Sequence, residues 1–228
     1  MNNTAMWLAP AASCLALFGG PILAATGAVA PISGFYICLS SAGLGLLGAL
    51  GLLAWRRGAA KVPAAVALGP PVLLLGLGLT LPDAPMIHDV TTDPANPPAI
   101  TTEGRPELAE ADLSWPTDTA AEMAEHYGDL QPLVVKRDTY QVLAGATAIA
   151  VDRGWTVHRV GEDGIEVSHT SGVFRFVDDV TVRVTPLAPD STRVDFRSRS
   201  RVGRSDLGVN ADRIRALQTA MQDRFATP

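Results

Sequence analysis

The stretch VFRFVDDVTVRVTPLAPDSTRVDFRSRSRV, residues 173–202, decides the fold. Apolar and polar residues alternate through both of its halves, the period-two signature of strands with one buried face. Pro186–Ser191 interrupts the alternation, so the stretch reads as two strands, Val173–Thr185 and Thr192–Val202, joined by a turn. On the first strand Phe174, Phe176, Val180, Val182 and Val184 share the expected core face, with Asp178 among them. Arg175, Asp179, Thr181 and Arg183 share the other. On the second strand Val194, Phe196, Ser198, Ser200 and Val202 oppose Arg193, Asp195, Arg197, Arg199 and Arg201. Paired as a hairpin, the two strands present one sheet face tiled with Arg and Asp.

The flanks continue the pattern. Trp155–Val160 and Ile165–Thr170 read as two more strands around a Gly161–Gly164 turn. Before them, Asp138 and Gln141 resemble a capping box. Val142, Leu143, Ala146, Ile149 and Ala150 follow at helical spacing, and Gly154 supplies the stop. After the hairpin, Asn210 reads as the cap of a last helix with Ile214, Leu217, Met221 and Phe225 on one face. The order is helix, four antiparallel strands, helix. That is an α+β domain, compatible with a helix-grip arrangement, with its core in residues 138–228. Residues 83–137 read as a connection, since Pro85, Pro94, Pro97, Pro98 and Pro106 forbid a long helix. A short strand within Met86–Asp93 and a short helix at Thr119–Tyr127 are the elements expected there.

Residues 1–82 are of another kind. They hold no Asp or Glu, and their only charges are Arg56, Arg57 and Lys61. All 23 acidic residues and 15 of the 18 basic ones follow. Apolar stretches at about 6–30, 35–55 and 62–81 are each long enough to cross a bilayer as a helix. The chain therefore reads as three transmembrane helices followed by an acidic soluble domain, residues 83–228. Net charge is −5 overall, which excludes general nucleic-acid binding, where phosphate contacts need a positive surface. The three cations all fall between the second and third spans. The positive-inside rule then places that loop and the N-terminus in the cytoplasm, and the soluble domain in the periplasm of a bacterial inner membrane. Ala28-Val29-Ala30 has the look of a signal-peptidase site. The uncharged N-terminus and Pro31 just beyond it argue for a retained span instead.

Gly43-Leu44-Gly45-Leu46-Leu47-Gly48 matches the dinucleotide-loop string but sits inside an apolar run, with no strand before it. Ser41, Gly45 and Ala49, spaced by four, read instead as a small-residue ridge for helix packing. Cys14 and Cys38 both lie in spans, so the soluble domain has no thiol for a disulfide or a zinc site.

Among polar candidates, Asp178 is the one carboxylate on a core face, a costly position unless paired. That makes it the weak candidate for a general base. Arg197, Arg199, Arg201 and Arg204 could bind an anion or a partner, because guanidinium groups grip phosphate and carboxylate bidentately. The competing reading pairs them internally with Asp179, Asp195 and Asp206 on a solvated face. His88, His126, His158 and His169 show no metal-ligand spacing, and no G-x-S-x-G elbow occurs, so no metal or cofactor is expected.

Several segments carry a resemblance. They are His88-Asp89-Val90-Thr91-Thr92-Asp93, Tyr127–Leu133, Gly154-Trp155, Phe176–Val184 and, most specifically, Arg197–Ala211. Together they resemble domain of unknown function 1499 over about residues 86–225. The resemblance implies a domain that stands behind membrane helices in bacteria, and it supplies no catalytic residues. The function expected is a polytopic membrane protein with a periplasmic binding or interaction domain, an accessory subunit of a membrane complex. Its partners would be the lipid bilayer and a membrane protein. The alternative is a membrane-bound, hydrolase-like enzyme, or a lipid- or anion-binding protein, with a pocket between sheet and terminal helix.

Overall fold

A computed structural model describes residues 3–55 and 60–226. Arg56 and Arg57, on which the expected orientation rests, lie outside the described residues. The chain divides into two compact units: Met1–Leu81 with Ser171–Phe176, and Pro82–Thr170 with Val177–Pro228.

In the first unit a 3-10 turn, Asn3–Trp7, leads into α1, Leu8–Ala25; α2 is Pro31–Trp55 and α3 Lys61–Gly78. All three are long and apolar enough to cross a membrane. The bounds differ from the expected ones by a few residues: α1 and α3 end earlier, α2 begins earlier, and α1 and α3 run on through Pro21 and Pro70-Pro71. Small residues set the packing, as the ridge predicts: Ser41, Gly45 and Ala49 are buried on α2. A Cβ on Gly45 would strike the Ala67 carbonyl of α3, so only glycine permits this approach. Ser13 donates to the Ser41 carbonyl at 2.8 Å, satisfying a hydroxyl that has no water to turn to.

The second unit is built on an antiparallel sheet. Its strands are β1 (Asp89–Thr91), β2 (Leu133–Val135), β3 (Thr156–Val160), β4 (Gly164–Thr170), β5 (Val177–Ala188) and β6 (Ser191–Ser200). The order is β1-β6-β5-β4-β3, with β2 also on β6. The sheet thus has six strands where four were expected. The two additions come from residues 83–137: β1 pairs with residues 197–199 of β6 and β2 with residues 192–194. β1 falls within the short strand expected at Met86–Asp93, whereas β2 was not expected, and the free edge of β6 takes up both.

A second correction concerns β5, which begins at Val177 and not at Val173. The Ser171 N–H donates to the Phe176 carbonyl at 2.8 Å, and the Phe176 N–H to Ser171 Oγ at 2.9 Å, closing a loop. Arg175 sits in that loop at φ +59°. Phe174 and Phe176 therefore lie outside the sheet, off the core face that alternation gave them. At its other end β5 passes Pro186 by shifting register between Pro186 and Ala188.

Helices α4 (Ala120–Tyr127), α5 (Thr139–Asp152) and α6 (Val209–Ala226) complete the unit. Asp138 caps α5 as the spacing predicts, accepting from the Gln141 N–H at 2.8 Å, and Gly154 follows at φ +70°. Val142, Ile149, Ile214, Leu217 and Met221 bury against Val167, Val180, Val182 and Phe196. Asn210 is not the cap of α6. Asp206 holds that turn, accepting from the Gly208 and Asn210 N–H groups at 2.9 and 2.7 Å.

Candidate functional site

The β5–β6 register sets Asp179 opposite Arg199, Thr181 opposite Arg197 and Arg183 opposite Asp195. This is the Arg/Asp face that the alternation predicts. It is not solvated, however: Asp179, Asp195 and Arg197 are all buried. The segment between β1 and α4 lies over it and completes its charge pairs. Arg105, fully buried, reaches from this segment to Asp179 at 2.9 Å, to Glu166 and to the Thr101 carbonyl. Glu166 in turn accepts from the Thr101 N–H at 2.9 Å and hydroxyl at 2.8 Å. Arg197 grips Asp89 bidentately at 3.0 and 2.8 Å and lies over the Trp115 ring. Arg183 and Arg193 both join Asp93 to Asp195.

The expected binding residues therefore have different fates. Arg197 is buried in a bidentate pair. Arg201 pairs with Asp179 through two bonds of 2.8 Å and with Glu107 at 2.7 Å. Arg199 stands 3.7 Å from Asp89, while its Nη1 is buried without a hydrogen-bond partner among the described residues. Arg204 is exposed. Three of the four thus converge on the covered face, and Arg204 does not.

Asp178 lies on the opposite face, at the open end of the core. Arg213 of α6 donates to it at 2.6 Å, and also to Ser198 Oγ at 3.0 Å and to Asn210 Oδ1. Asn210 ties the cluster to the strands, donating to the His88 carbonyl and to Ser200 Oγ, each at 3.0 Å. The His169 ring lies 3.3 Å from Arg213 and 4.0 Å from Asp178, edge-on to Trp155. Burial, and then the Arg213 charge, hold the His169 pKa below its ordinary value. Asp178 is thus held through its Oδ2 in a buried ion pair with Arg213. Behind the cluster, Ile214, Leu217 and Met221 fill the space between sheet and terminal helix.

His158 lies on the covered face, its Nε2 2.8 Å from Ser168 Oγ. Burial, then the nearby Arg105, hold its pKa down. Among the described residues no group of three His, Cys, Asp or Glu side chains is placed to hold a metal ion.

An apolar opening lies elsewhere. A groove of about 720 Å³ runs along the outside of α5 to the β3–β4 turn. Tyr140, Val151 and Val160 line it at 80, 58 and 58% exposure, together with Ala144, Ala148, Asp152 and Glu162.

Alternation along strands missed Arg105, Asp89, Glu166 and Arg213. Two signals were available. Arg105 is the only Lys or Arg between Lys61 and Lys136. Arg213 sits in the apolar stripe of α6, between Asn210 and Leu217.

A family model described as protein of unknown function (DUF1499) matches residues 89–221, more than half of the chain. The chain belongs to this family. A search of curated proteins finds no match. The matched region begins at Asp89, the carboxylate that anchors Arg197, so it takes in the covering segment as well as the sheet.

Proposed function

We propose that this protein is a membrane-tethered interaction module, an accessory subunit whose C-terminal domain stands in the periplasm and binds a basic amphipathic segment of a membrane partner. One contrast carries the reading. Arg105, Arg197, Arg201 and Arg213 are taken up by internal pairs with Asp179, Asp89 and Asp178, whereas the groove on α5 is apolar and open. Ala144 and Ala148, one turn apart on α5, are small enough to admit a close-packed helix, and Tyr140 to Val151 spans about three turns. Asp152 and Glu162, on an acidic domain, favour a cationic occupant. The test places a photo-crosslinking residue at Ala144 in the full-length protein in cells, with Asp190 as the control site. A discrete adduct from Ala144 alone, lost with Val151→Glu, is the expected result. Adducts equal at both sites, or none, reject the groove as the contact.

One observation favours a second reading, an anion site on β6: the Arg199 Nη1, without a hydrogen-bond partner among the described residues, with exposed Arg204 nearby in sequence. Saturable thermal stabilisation by phosphate or anionic lipid headgroups, abolished in Arg199→Ala, would select it.

A further inference from the structure

The loop Ser171–Phe176 groups with the three apolar helices and not with the sheet whose strands it joins. Its residues are Ser-Gly-Val-Phe-Arg-Phe, and Val173 is 59% exposed at its tip. Phe174 and Phe176 meet each other at 5.9 Å between ring centroids. Both also meet Phe35 of α2 edge-on, at 5.6 and 6.2 Å. Tyr36, 61% exposed, joins the same group at 5.9 Å from Phe35.

The level of Phe35 along α2 follows from helix length. Tyr36 and Trp55 stand at opposite ends of an uncharged run, and at 1.5 Å per residue they are about 30 Å apart, the thickness of a hydrocarbon core. Tyr and Trp collect at the two membrane–water interfaces, where a ring can be apolar on one side and wet on the other. Trp55, 71% exposed, marks one interface, so Phe35 and Tyr36 mark the other. Rings packed on Phe35 lie at that same depth. Arg175 adds a cation where headgroup phosphates would be, and its left-handed φ of +59° holds the tip in a shape that a non-glycine residue adopts only under constraint.

We infer that the β4–β5 loop is a second membrane contact, inserting Val173 and Phe174 at the headgroup–acyl boundary with Arg175 at the phosphates. The loop would thereby add a fixed point to the tether supplied by α3.

The experiment uses the full-length chain with Cys14 and Cys38 replaced by Ala, reconstituted in phosphatidylcholine vesicles with and without phosphatidylglycerol. Single cysteines, Val173→Cys, Leu47→Cys or Asp190→Cys, carry an environment-sensitive fluorophore. Leu47 reports the span itself, and Asp190 reports the far end of β5, about 40 Å along the strand. The label at 173 should be quenched by nitroxides placed high on the acyl chain and shielded from aqueous iodide, with the reverse at 190. Phosphatidylglycerol should deepen the lipid quenching at 173, and Arg175→Glu should cancel that gain. Iodide quenching at 173 equal to that at 190, while 47 remains lipid-quenched, overturns the loop contact and leaves the membrane tether standing. Loss of lipid quenching at 47 as well overturns both.

Discussion

At the scale of single residues, the buried charges dominate. Arg105 bridges two carboxylates at no exposure to solvent, and a buried pair is costly to break because its partner stays behind, charged and dry. Arg105→Met and Arg197→Ala should each lower stability by about 3–5 kcal/mol, seen as a large fall in melting temperature of the detergent-solubilised protein. Arg204→Ala, at an exposed site, should stay within about 0.5 kcal/mol. Equal effects for all three would mean that the covered face is not a charge lattice. A pH dependence follows from the two histidines. His158 and His169 are both held below the ordinary 6.5 by burial, and then by Arg105 and Arg213. Asp179 faces the first and Asp178 the second, and both oppose the shift without reversing it. Below pH 6.5 the unfolded chain binds protons that the folded chain refuses, so stability falls as pH drops from there toward the folded values. His158→Gln or His169→Gln should flatten the melting-temperature slope between neutral pH and that range. An unchanged slope in both variants would trace it to the carboxylates.

At the scale of elements, the start of α6 separates capping from cross-linking. Asp206 accepts from the N–H groups of Gly208, just before α6, and of Asn210 in its first turn. Asp206→Ala should cost about 1 kcal/mol, the usual loss of a cap. Asn210 instead links α6 to Ser198, Ser200 and the His88 carbonyl. Its side chain is buried, so Asn210→Ala leaves several polar groups unsatisfied and should cost more than Asp206→Ala. Hydrogen exchange distinguishes them further: Asp206→Ala should free only the first turn of α6, whereas Asn210→Ala should also loosen β1 and the end of β6. The same element shows why alternation erred at β5. Val173–Phe176 continues the apolar rhythm, but the Ser171–Phe176 closure removes it from the ladder. A loop that serves a second apolar surface is indistinguishable from a strand by period alone.

At the scale of the whole molecule, two outcomes bear on organisation. Every member of the main core lies between Ile87 and Phe225. Residues 83–228 expressed without the helices should therefore melt cooperatively, and a molten, dye-binding product would show that the core needs the helices. The basic residues Arg56, Arg57 and Lys61 set the orientation proposed for the chain. A C-terminal alkaline phosphatase fusion should be active and a C-terminal fluorescent protein dark; the opposite pattern would place the domain in the cytoplasm.

The sequence by itself determined the division at Pro82, the three apolar helices, the hairpin of β5 and β6, and the cap of α5. Each is a local matter, written in charge content, period or cap chemistry over neighbouring residues. The identity of the partners was decided only by tertiary structure. Asp89 and Arg197 are 108 residues apart in sequence, and Arg105 and Asp179 are 74 apart. No spacing rule connects them, since their meeting depends on where an irregular Pro-rich segment crosses the sheet. That crossing turned a face expected to be solvated into a buried charge lattice, joined the expected strand β1 and the unexpected β2 to the sheet, and left the outside of α5 as an open apolar surface. Burial and long-range pairing are properties of the assembled layers, so a residue's exposure could be read from the sequence only where a single element settled it.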